Sequence, residues 1–580
     1  MNNVIRPDVP ASVIFDQTDD NFAHVNITAP AQSVLNSVVR CLVQNFTYQD
    51  PKKLHSFIGK KGFVKDCNVR AFDKKTQSLY IGLIPKAANY LKDADLGVRI
   101  GVSDVIRSIY SKSGGDITKD EIKQYAESLN IVNSKGKKLT PYEHQVDICH
   151  KILNGRRIST LACTSSGKSL SIYIIARYLI EHETRKVLII TPSKNLVVQL
   201  FNNFVDDYGW KDAKNYCSLI YGESKEKVTD KLKIITISTW QSLQRQNEDF
   251  FKCFTGVIVD EAHSTRGEVL RDILGMCTSA TNFKVGLSGT LPDDGLDSAY
   301  IEGSLGRKET IIKTWQLIEM GILPPMKILS IRVPYKKEIR SYVCGQRYQD
   351  EYFLVTNNGS RKAAIDLLFR KQITPEQNTL ILYKNKTTLD EMFTYLKEKH
   401  PNYKYHIIKG EVSTNNRTGI FELLENTVGN IIVATYGTMK QGVNIPLLHN
   451  LVLAEFSKSM YEIVQGMGRV ARYHPDKKES RVFDIFDDCS YMTTPRKIGN
   501  PSMLKENYSV QHYNTRLGYY NEEKIPITEF SLEGIYEAGI NTDALEEKQK
   551  LALEKAEEKS KKTKKKSTDR KKLGDESQFA

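Results

Sequence analysis

The sequence predicts an α/β protein with two tandem parallel-sheet domains, preceded by a small α+β domain and followed by a short helical C-terminal extension. Three observations predict it. Apolar strand runs alternate with helical patterns from about 139 to 310, and the same alternation restarts near 327 and continues to about 490. That alternation is the grammar of a parallel sheet covered on both faces. A loop of small residues, LACTSSGKS at 161–169, joins one such strand to an apolar helix pattern. A third signal is the run Val257-Ile258-Val259, which ends in Asp260-Glu261; acids there fall at the carboxyl edge of the sheet, where open α/β folds place their ligands.

Taken in order, residues 1–101 form the small domain. Strands are expected at 12–15 and 24–27, and Val34, Leu35, Val38, Val39, Leu42 and Val43 recur at helical spacing behind a cap candidate, Thr28. The basic turn Gly59-Lys60-Lys61-Gly62 precedes strand patterns at 69–72 and 79–83, a short helix at 87–92 and a strand at 97–101. Lys60, Lys61, Lys65 and Arg70 suit phosphate contacts, and a solvated basic face accounts for them equally well. Residues 102–138 are polar and partly helical, broken at Ser113-Gly114-Gly115, and read as a linker. The first parallel-sheet domain, 139–322, takes strands at 157–161, 186–191, 232–238, 256–260 and 283–287. The second, 323–490, takes 378–383, 403–408, 430–435, 451–455 and 481–485. In the extension, 491–540, a basic and aromatic helix carries Tyr508, His512, Tyr513, Arg516, Tyr519 and Tyr520. Residues 541–580 pass from a charged Ala/Glu/Lys-rich helix pattern into a basic tail whose composition predicts disorder.

Composition narrows the class. At 40% hydrophobic and 26% charged residues the chain is ordinary for a soluble protein. No run approaches the ~18 apolar residues of a membrane span, and the N-terminus lacks a signal layout, so a cytoplasmic location is expected. Nine cysteines show no C-x-x-C pair, which fits reduced core thiols; Cys163 alone sits inside the small-residue loop. Of the net charge of +14, +8 lies in 559–572, where nine Lys/Arg face one Asp, leaving +6 for the rest. A polyanionic partner and a merely solvated tail both fit that distribution.

The loop and the acids carry the chemistry. Thr164, Ser165, Ser166 and Gly167 are small enough to turn successive N–H groups onto a polyphosphate at a helix N-terminus. Lys168 then reaches the β- and γ-phosphates and the Ser169 hydroxyl helps to hold Mg²⁺. Ala162 stands where G-x-x-x-x-G-K-[ST] has its first Gly, so by itself the match also fits a turn that merely opens a core helix. Asp260 suits the Mg²⁺ shell and Glu261 the acceptance of a proton from attacking water.

The ordered series Gln145, LACTSSGKS, TPSKNL (191–196), STWQSL (238–243), DEAH (260–263), LSGT (287–290), LILYKN (380–385), KGEV (409–412), ATYGTMKQGVNIP (434–446) and QGMGRVAR (465–472) resembles the DEAH-motif helicases of superfamily 2. Within them it is similar to the UvsW-like phage recombination-repair DNA helicases, in the S-S-G-K-S loop, the S-T-W-Q and G-L-S-G segments, the G-R-V-x-R ending, the small N-terminal domain and the aromatic helix after 500. The tail after about 540 lies outside the resemblance.

The resemblance implies two RecA-like domains with ATP between them, and ATP and Mg²⁺ as cofactors. It implies an ATP-dependent DNA helicase or translocase that remodels branched DNA in recombination, repair and replication restart, by junction migration, fork regression and duplex or R-loop unwinding. The expected partner is single-stranded and branched DNA, extending to RNA–DNA hybrids, with no membrane. The expected state is a monomeric motor in the bacterial host cytoplasm of a phage.

Site roles carry over by motif. Gln145 reads the adenine edge with Tyr142 as a stacking partner, and residues 164–169 bind phosphate. Ser169 and Asp260 hold the metal and Glu261 orients water. Gln465 lies by the γ-phosphate, with Arg469 and Arg472 as arginine fingers. His263, Ser288, Gly289, Thr290 and Gly442 couple the nucleotide to the strand groove. That groove is lined by Thr191, Pro192, Ser193, Thr239, Lys409, Gly410 and Thr435, through contacts that carry no sequence information. Asn444 departs from the Asp of many relatives, so no carboxylate role transfers there. Three rival readings stand beside this one: an RNA helicase, a transcript-release factor with the same motor, and a non-enzymatic scaffold, the last disfavoured by the presence of Lys168, Asp260, Glu261, Arg469 and Arg472.

Overall fold

The computed structural model describes residues 11–17, 21–29, 31–50, 67–111, 115–133, 136–222, 232–293, 295–357, 359–409, 419–420, 423–424, 427–439, 445–457, 459–493, 502–533, 543, 545–547 and 549–550. Lys60, Lys61, Lys65, Gly410, Gly442, Asn444 and the basic tail lie outside them. The chain divides into two units, Met1–Glu319 and Met320–Ala580.

The first unit opens with a five-stranded mixed sheet in the order Phe72–Asp73, Ser78–Tyr80, Phe22–Thr28, Ser12–Gln17, Arg99–Val102. Val13, Phe15, Ala23 and Val25 alternate onto one face of its central hairpin and are fully buried, as a half-buried antiparallel pair requires. Helix Gln32–Asn45 covers that face with Val38 and Leu42, and helix Ile84–Asp93 with Ala87 and Leu91. Thr28 ends its strand and caps nothing; the helix starts after Ala31, which makes no side-chain cap. The strand expected at 79–83 stops at Tyr80, because the chain turns through Ile81–Leu83 into a helix with Pro85 in its first turn.

The stretch expected as a linker carries two packed helices. Asp104–Tyr110 is capped by Ser103 and sends Ile106 and Ile109 into the small domain's core. Lys119–Ser128 begins with a capping box, Thr118 with Glu121, and its Tyr125 donates to Glu181 at 2.7 Å.

Beyond it lies a seven-stranded sheet in the order Cys217–Ile220, Ile235–Thr239, Val187–Thr191, Gly256–Asp260, Lys284–Ser288, Ile158–Ala162, Arg307–Ile312, with every pairing parallel. Its central strands are buried on both faces, hence their continuous apolar runs. Because all strands point one way, Thr239, Thr191, Asp260, Ser288 and Ala162 end side by side along one edge. The two outermost strands were not anticipated: Cys217–Ile220 is only 4 residues long and Arg307–Ile312, RKETII, is mostly polar.

The second unit holds another seven-stranded parallel sheet, in the order Lys404–Ile408, Asn430–Thr435, Thr379–Tyr383, Asn450–Leu453, Ser480–Asp488, Met326–Pro334, Ile527–Ser531. Helices Ser360–Lys371 and Lys386–Lys399 pack on it through Ile365, Leu368, Leu389 and Met392. The basic and aromatic helix of the extension is part of this domain's packing. In Tyr508–Glu522, Tyr513, Arg516 and Tyr520 are buried. Tyr513 stacks on Phe486 at 3.9 Å, and Arg516 makes a two-pronged pair with buried Asp484 at 2.7 and 2.8 Å. A guanidinium buried with its carboxylate is not open to phosphate.

Candidate nucleotide site and strand-facing edge

Strand Ile158–Ala162 delivers the chain into the small-residue loop, and helix Lys168–His182 starts directly behind it. Gly167 occupies the position before the helix at φ +80°, and a Cβ there would meet Gln145 Nε2 at 2.0 Å. The left-handed backbone favours glycine, and any larger residue would also displace the Gln145 amide. Ser165, at φ +68°, gives the loop a second left-handed turn. Lys168 Nζ donates to the carbonyls of Ala162 at 2.9 Å and Cys163 at 3.1 Å, which folds the ammonium back over the loop.

Helix Glu143–Gly155 closes one side. Buried Gln145 accepts the Tyr142 N–H through Oε1 at 2.9 Å and donates through Nε2 to the Ser166 carbonyl at 3.0 Å. His144 Nε2 bonds the same carbonyl at 2.8 Å, and Tyr142, 53% exposed, lies parallel to the His144 ring at 5.6 Å. The expected adenine-recognising pair is thus wired to the small-residue loop directly through Gln145 and also through His144, which no motif marks. Its only signal was its place between Tyr142 and Gln145.

Strand Gly256–Asp260, separated in the sheet from Ile158–Ala162 by Lys284–Ser288, brings up the acids. Asp260 accepts the Glu261 N–H at 3.0 Å. Burial, and then the charge of Glu261, push the Asp260 carboxyl up to about 7, opposed by the Lys168 cation. A carboxylate so placed favours a partner cation, and the Ser169 hydroxyl sits in the first turn of the adjacent helix; this donor set fits a magnesium ion. Glu261 itself is held at φ +56°, an uncommon backbone for a side chain with a Cβ.

Ser288, at the end of the next strand, lies 3.0 Å from His263 Nδ1. It donates to the Thr290 carbonyl at 2.6 Å and accepts the Thr290 N–H at 3.2 Å. His263 in turn lies 3.4 Å from Glu261 Oε2. A Cβ on Gly289 would stand 3.1 Å from Thr164 Oγ1 and 3.5 Å from Lys168 Nζ. The residues predicted to couple the two functions, apart from Gly442, therefore form one connected set against the loop.

Two strands away on the same edge, Thr191 and Thr239 stand opposite each other in register. Thr239 caps helix Trp240–Leu243, Ser193 precedes helix Lys194–Asn202, and Gln241 donates to the Pro192 carbonyl at 3.2 Å. The two threonine side chains are buried, so what this edge offers is mostly backbone and turn.

In the second unit, Gln465 and Arg469 are four residues apart on helix Met460–Val470 and so share a face. Arg469 is buried, and Arg472 follows the helix end, its guanidinium pushed down to about 10 by burial and so still cationic near pH 7. Lys409 and Thr435 finish adjacent strands; Lys409 pairs with Asp390 at 2.8 Å, and Thr435 Oγ1 meets Thr438 Oγ1 at 3.1 Å.

Two family descriptions match the chain: DEAD/DEAH box helicase over residues 142–298, and helicase conserved C-terminal domain over 360–474. The chain is 30% identical over 411 residues, 70% of its length and 80% of the relative's, to the ATP-dependent DNA helicase uvsW of Enterobacteria phage T4. It is 21% identical over 371 residues, 61% of its length and 63% of the relative's, to a putative helicase of a Sulfolobus islandicus filamentous virus. The crystal structure of T4 UvsW aligns with 90% of this chain and 99% of its own, at 25% identity and a TM-score of 0.45.

Proposed function

Because the chain belongs to the superfamily 2 DEAD/DEAH-box helicases, in the company of phage UvsW, we propose that it works on DNA and remodels branched structures. It is an ATP-dependent helicase of the UvsW type, with nucleic acid as its partner. The observation that carries the choice of DNA is the 30% identity, over 80% of its length, to a phage enzyme named as a DNA helicase. Junction migration, fork regression and R-loop unwinding are the reactions we assign to it, as a monomer in the cytoplasm of an infected bacterium.

The residues support a division of labour in hydrolysis. The N–H groups of the loop and the Lys168 ammonium bind and orient the triphosphate, and Gln145 with Tyr142 receives the base. Ser169 and Asp260 would hold Mg²⁺, whose charge neutralises the phosphate oxygens. Glu261 positions the attacking water and takes its proton. Arg469 and Arg472 supply permanent, delocalised charge for the transferring phosphoryl group, with Gln465 beside them. Ser288 and His263 report the state of Glu261 to the edge carrying Thr191–Ser193 and Thr239, where phosphate contacts without base readout suit a translocating motor.

The test is steady-state ATP hydrolysis at one fixed salt concentration with single-stranded DNA, duplex DNA, four-way junctions and single-stranded RNA as separate activators. Strongest stimulation by junctions or single-stranded DNA is expected. Strongest stimulation by RNA overturns the substrate and keeps the motor.

A further inference from the structure

The carboxyl edge of the second unit's sheet carries a group of aromatic rings that ATP chemistry does not use. Strand Thr379–Tyr383 ends there, and the next residue, Lys384, is exposed. Its Nζ lies 5.2 Å from the Tyr348 ring centre and 5.1 Å from that of Tyr352, and donates to the Tyr348 hydroxyl at 3.2 Å. The two tyrosines are one turn apart on helix Tyr348–Thr356, with ring centres separated by 6.4 Å. Phe456, Tyr508 and His512 surround Tyr348 at 5.9, 5.5 and 5.4 Å. Three segments far apart in sequence thus build one aromatic surface. Phe456 is its buried floor, and Tyr348, Tyr352, Tyr508 and His512 are each partly open to solvent.

The surface is rigidly mounted. Buried Glu455, just past strand Asn450–Leu453, accepts the N–H groups of Lys384 at 2.7 Å and Asn385 at 3.0 Å, and also the Tyr352 hydroxyl. One carboxylate therefore fixes both the cation-bearing turn and one of the rings. The position is also specific. In this parallel sheet the strand next to Thr379–Tyr383 ends in Thr435, and the one beyond it runs into Lys409. The rings continue the edge to which the strand-contacting residues of this unit were assigned. Lys386, exposed, adds a second cation beside Lys384.

Partly exposed rings held in fixed positions beside a lysine are the chemistry of sequence-independent single-strand binding: every base has a π-face to stack, and an ammonium group at the rim suits the backbone. We propose that Tyr348 and Tyr352, with Lys384, form a stacking platform that takes an unpaired base of the nucleic-acid strand. This rests on the helicase reading above and adds a contact to bases where the assigned groove residues contact only backbone.

The experiment is fluorescence anisotropy with the full chain, at fixed salt, on three labelled oligomers of equal length: oligo-dT, oligo-rU and an oligomer of abasic deoxyribose phosphates. The wild type is expected to bind dT ~5- to 100-fold more tightly than the abasic strand, with rU giving a similar preference because the stacked group is the base. In the doubly substituted Tyr348→Leu/Tyr352→Leu chain that ratio falls toward one, whereas Tyr348→Phe keeps it. Lys384→Glu, at an exposed position, weakens dT binding ~10-fold without loss of thermal stability. A wild type that binds dT and the abasic strand equally overturns the platform and leaves the helicase reading standing, as does an unchanged ratio in the doubly substituted chain or unchanged dT affinity in Lys384→Glu. A wild type that binds none of the three strands overturns both.

Discussion

Lys168 shows how much of the site a single residue type can specify. Its amine is held by two backbone carbonyls of the loop, so removing it takes away the charge assigned to phosphate and leaves the core untouched. Lys168→Ala is expected to cut ATP turnover by ~10²-fold or more, with nucleic-acid binding and melting temperature close to wild type; equal loss of turnover and binding would point to misfolding instead. Ser288 makes a different prediction. Its hydroxyl touches His263 and Thr290 and lies 3.5 Å from Glu261 Oε2, at the margin of a hydrogen bond, so Ser288→Ala should leave ATP hydrolysis within about threefold while strand displacement falls ~10-fold. Parallel loss of both activities would deny it a coupling role. The motif residues could be read from the sequence because phosphate and metal chemistry dictate residue type and spacing. His144 could not, since a histidine hydrogen-bonded to a carbonyl leaves no pattern in a sequence; nor could Glu261's left-handed backbone, which the turn into Ala262–Arg266 imposes.

At the scale of elements, strands buried on both faces were legible because burial demands continuous apolar runs. Strand Ile527–Ser531, with three acidic or hydroxyl residues among its five, was not: it lies at the sheet edge, and pairing rather than side-chain burial holds it there. In the aromatic helix the role of Arg516 was hidden for a related reason. It looks like a phosphate contact until Asp484, more than thirty positions earlier, is seen to take it. Removing one partner of a buried pair leaves an uncompensated charge, so Arg516→Met should cost ~3–5 kcal/mol, and Arg516→Met with Asp484→Leu should recover much of it. Melting of the two variants measures both steps.

A second element-scale prediction concerns His449, at the entry to strand Asn450–Leu453. Its Nδ1 accepts the Asn378 N–H at 3.1 Å, which needs the unprotonated ring, and burial together with Lys477, Arg481 and His474 pushes it down to about 4. Between the ordinary value of about 6.5 and about 4 the unfolded chain binds more protons than the folded one, so stability falls as pH drops through that window. The expected loss is ~1–3 kcal/mol. His449→Asn keeps an acceptor without the titration and should flatten the denaturant midpoint between pH 6.5 and 4.5.

For the whole molecule the decisive quantity is where charge sits. Outside residues 559–572 the chain carries only +6 over more than five hundred residues, and the structure shows many of its cations already engaged. Arg516 and Arg361 pair with buried aspartates, Arg156 and Arg185 share Glu183, and Lys409 holds Asp390. The proposed grip on backbone through a few turns and threonine edges carries modest electrostatic attraction of its own, which the nine Lys/Arg of the tail would supplement. The consequence is measurable as a slope. Each phosphate neutralised contributes about 0.7–0.9 to the fall of log K with log salt, so a chain ending at Glu558 should bind DNA more weakly at low salt and with a slope shallower by up to ~6–8. Its ATP turnover at saturating DNA should be unchanged, because the nucleotide residues lie between Tyr142 and Arg472. An unchanged slope would mean that the tail does not touch DNA.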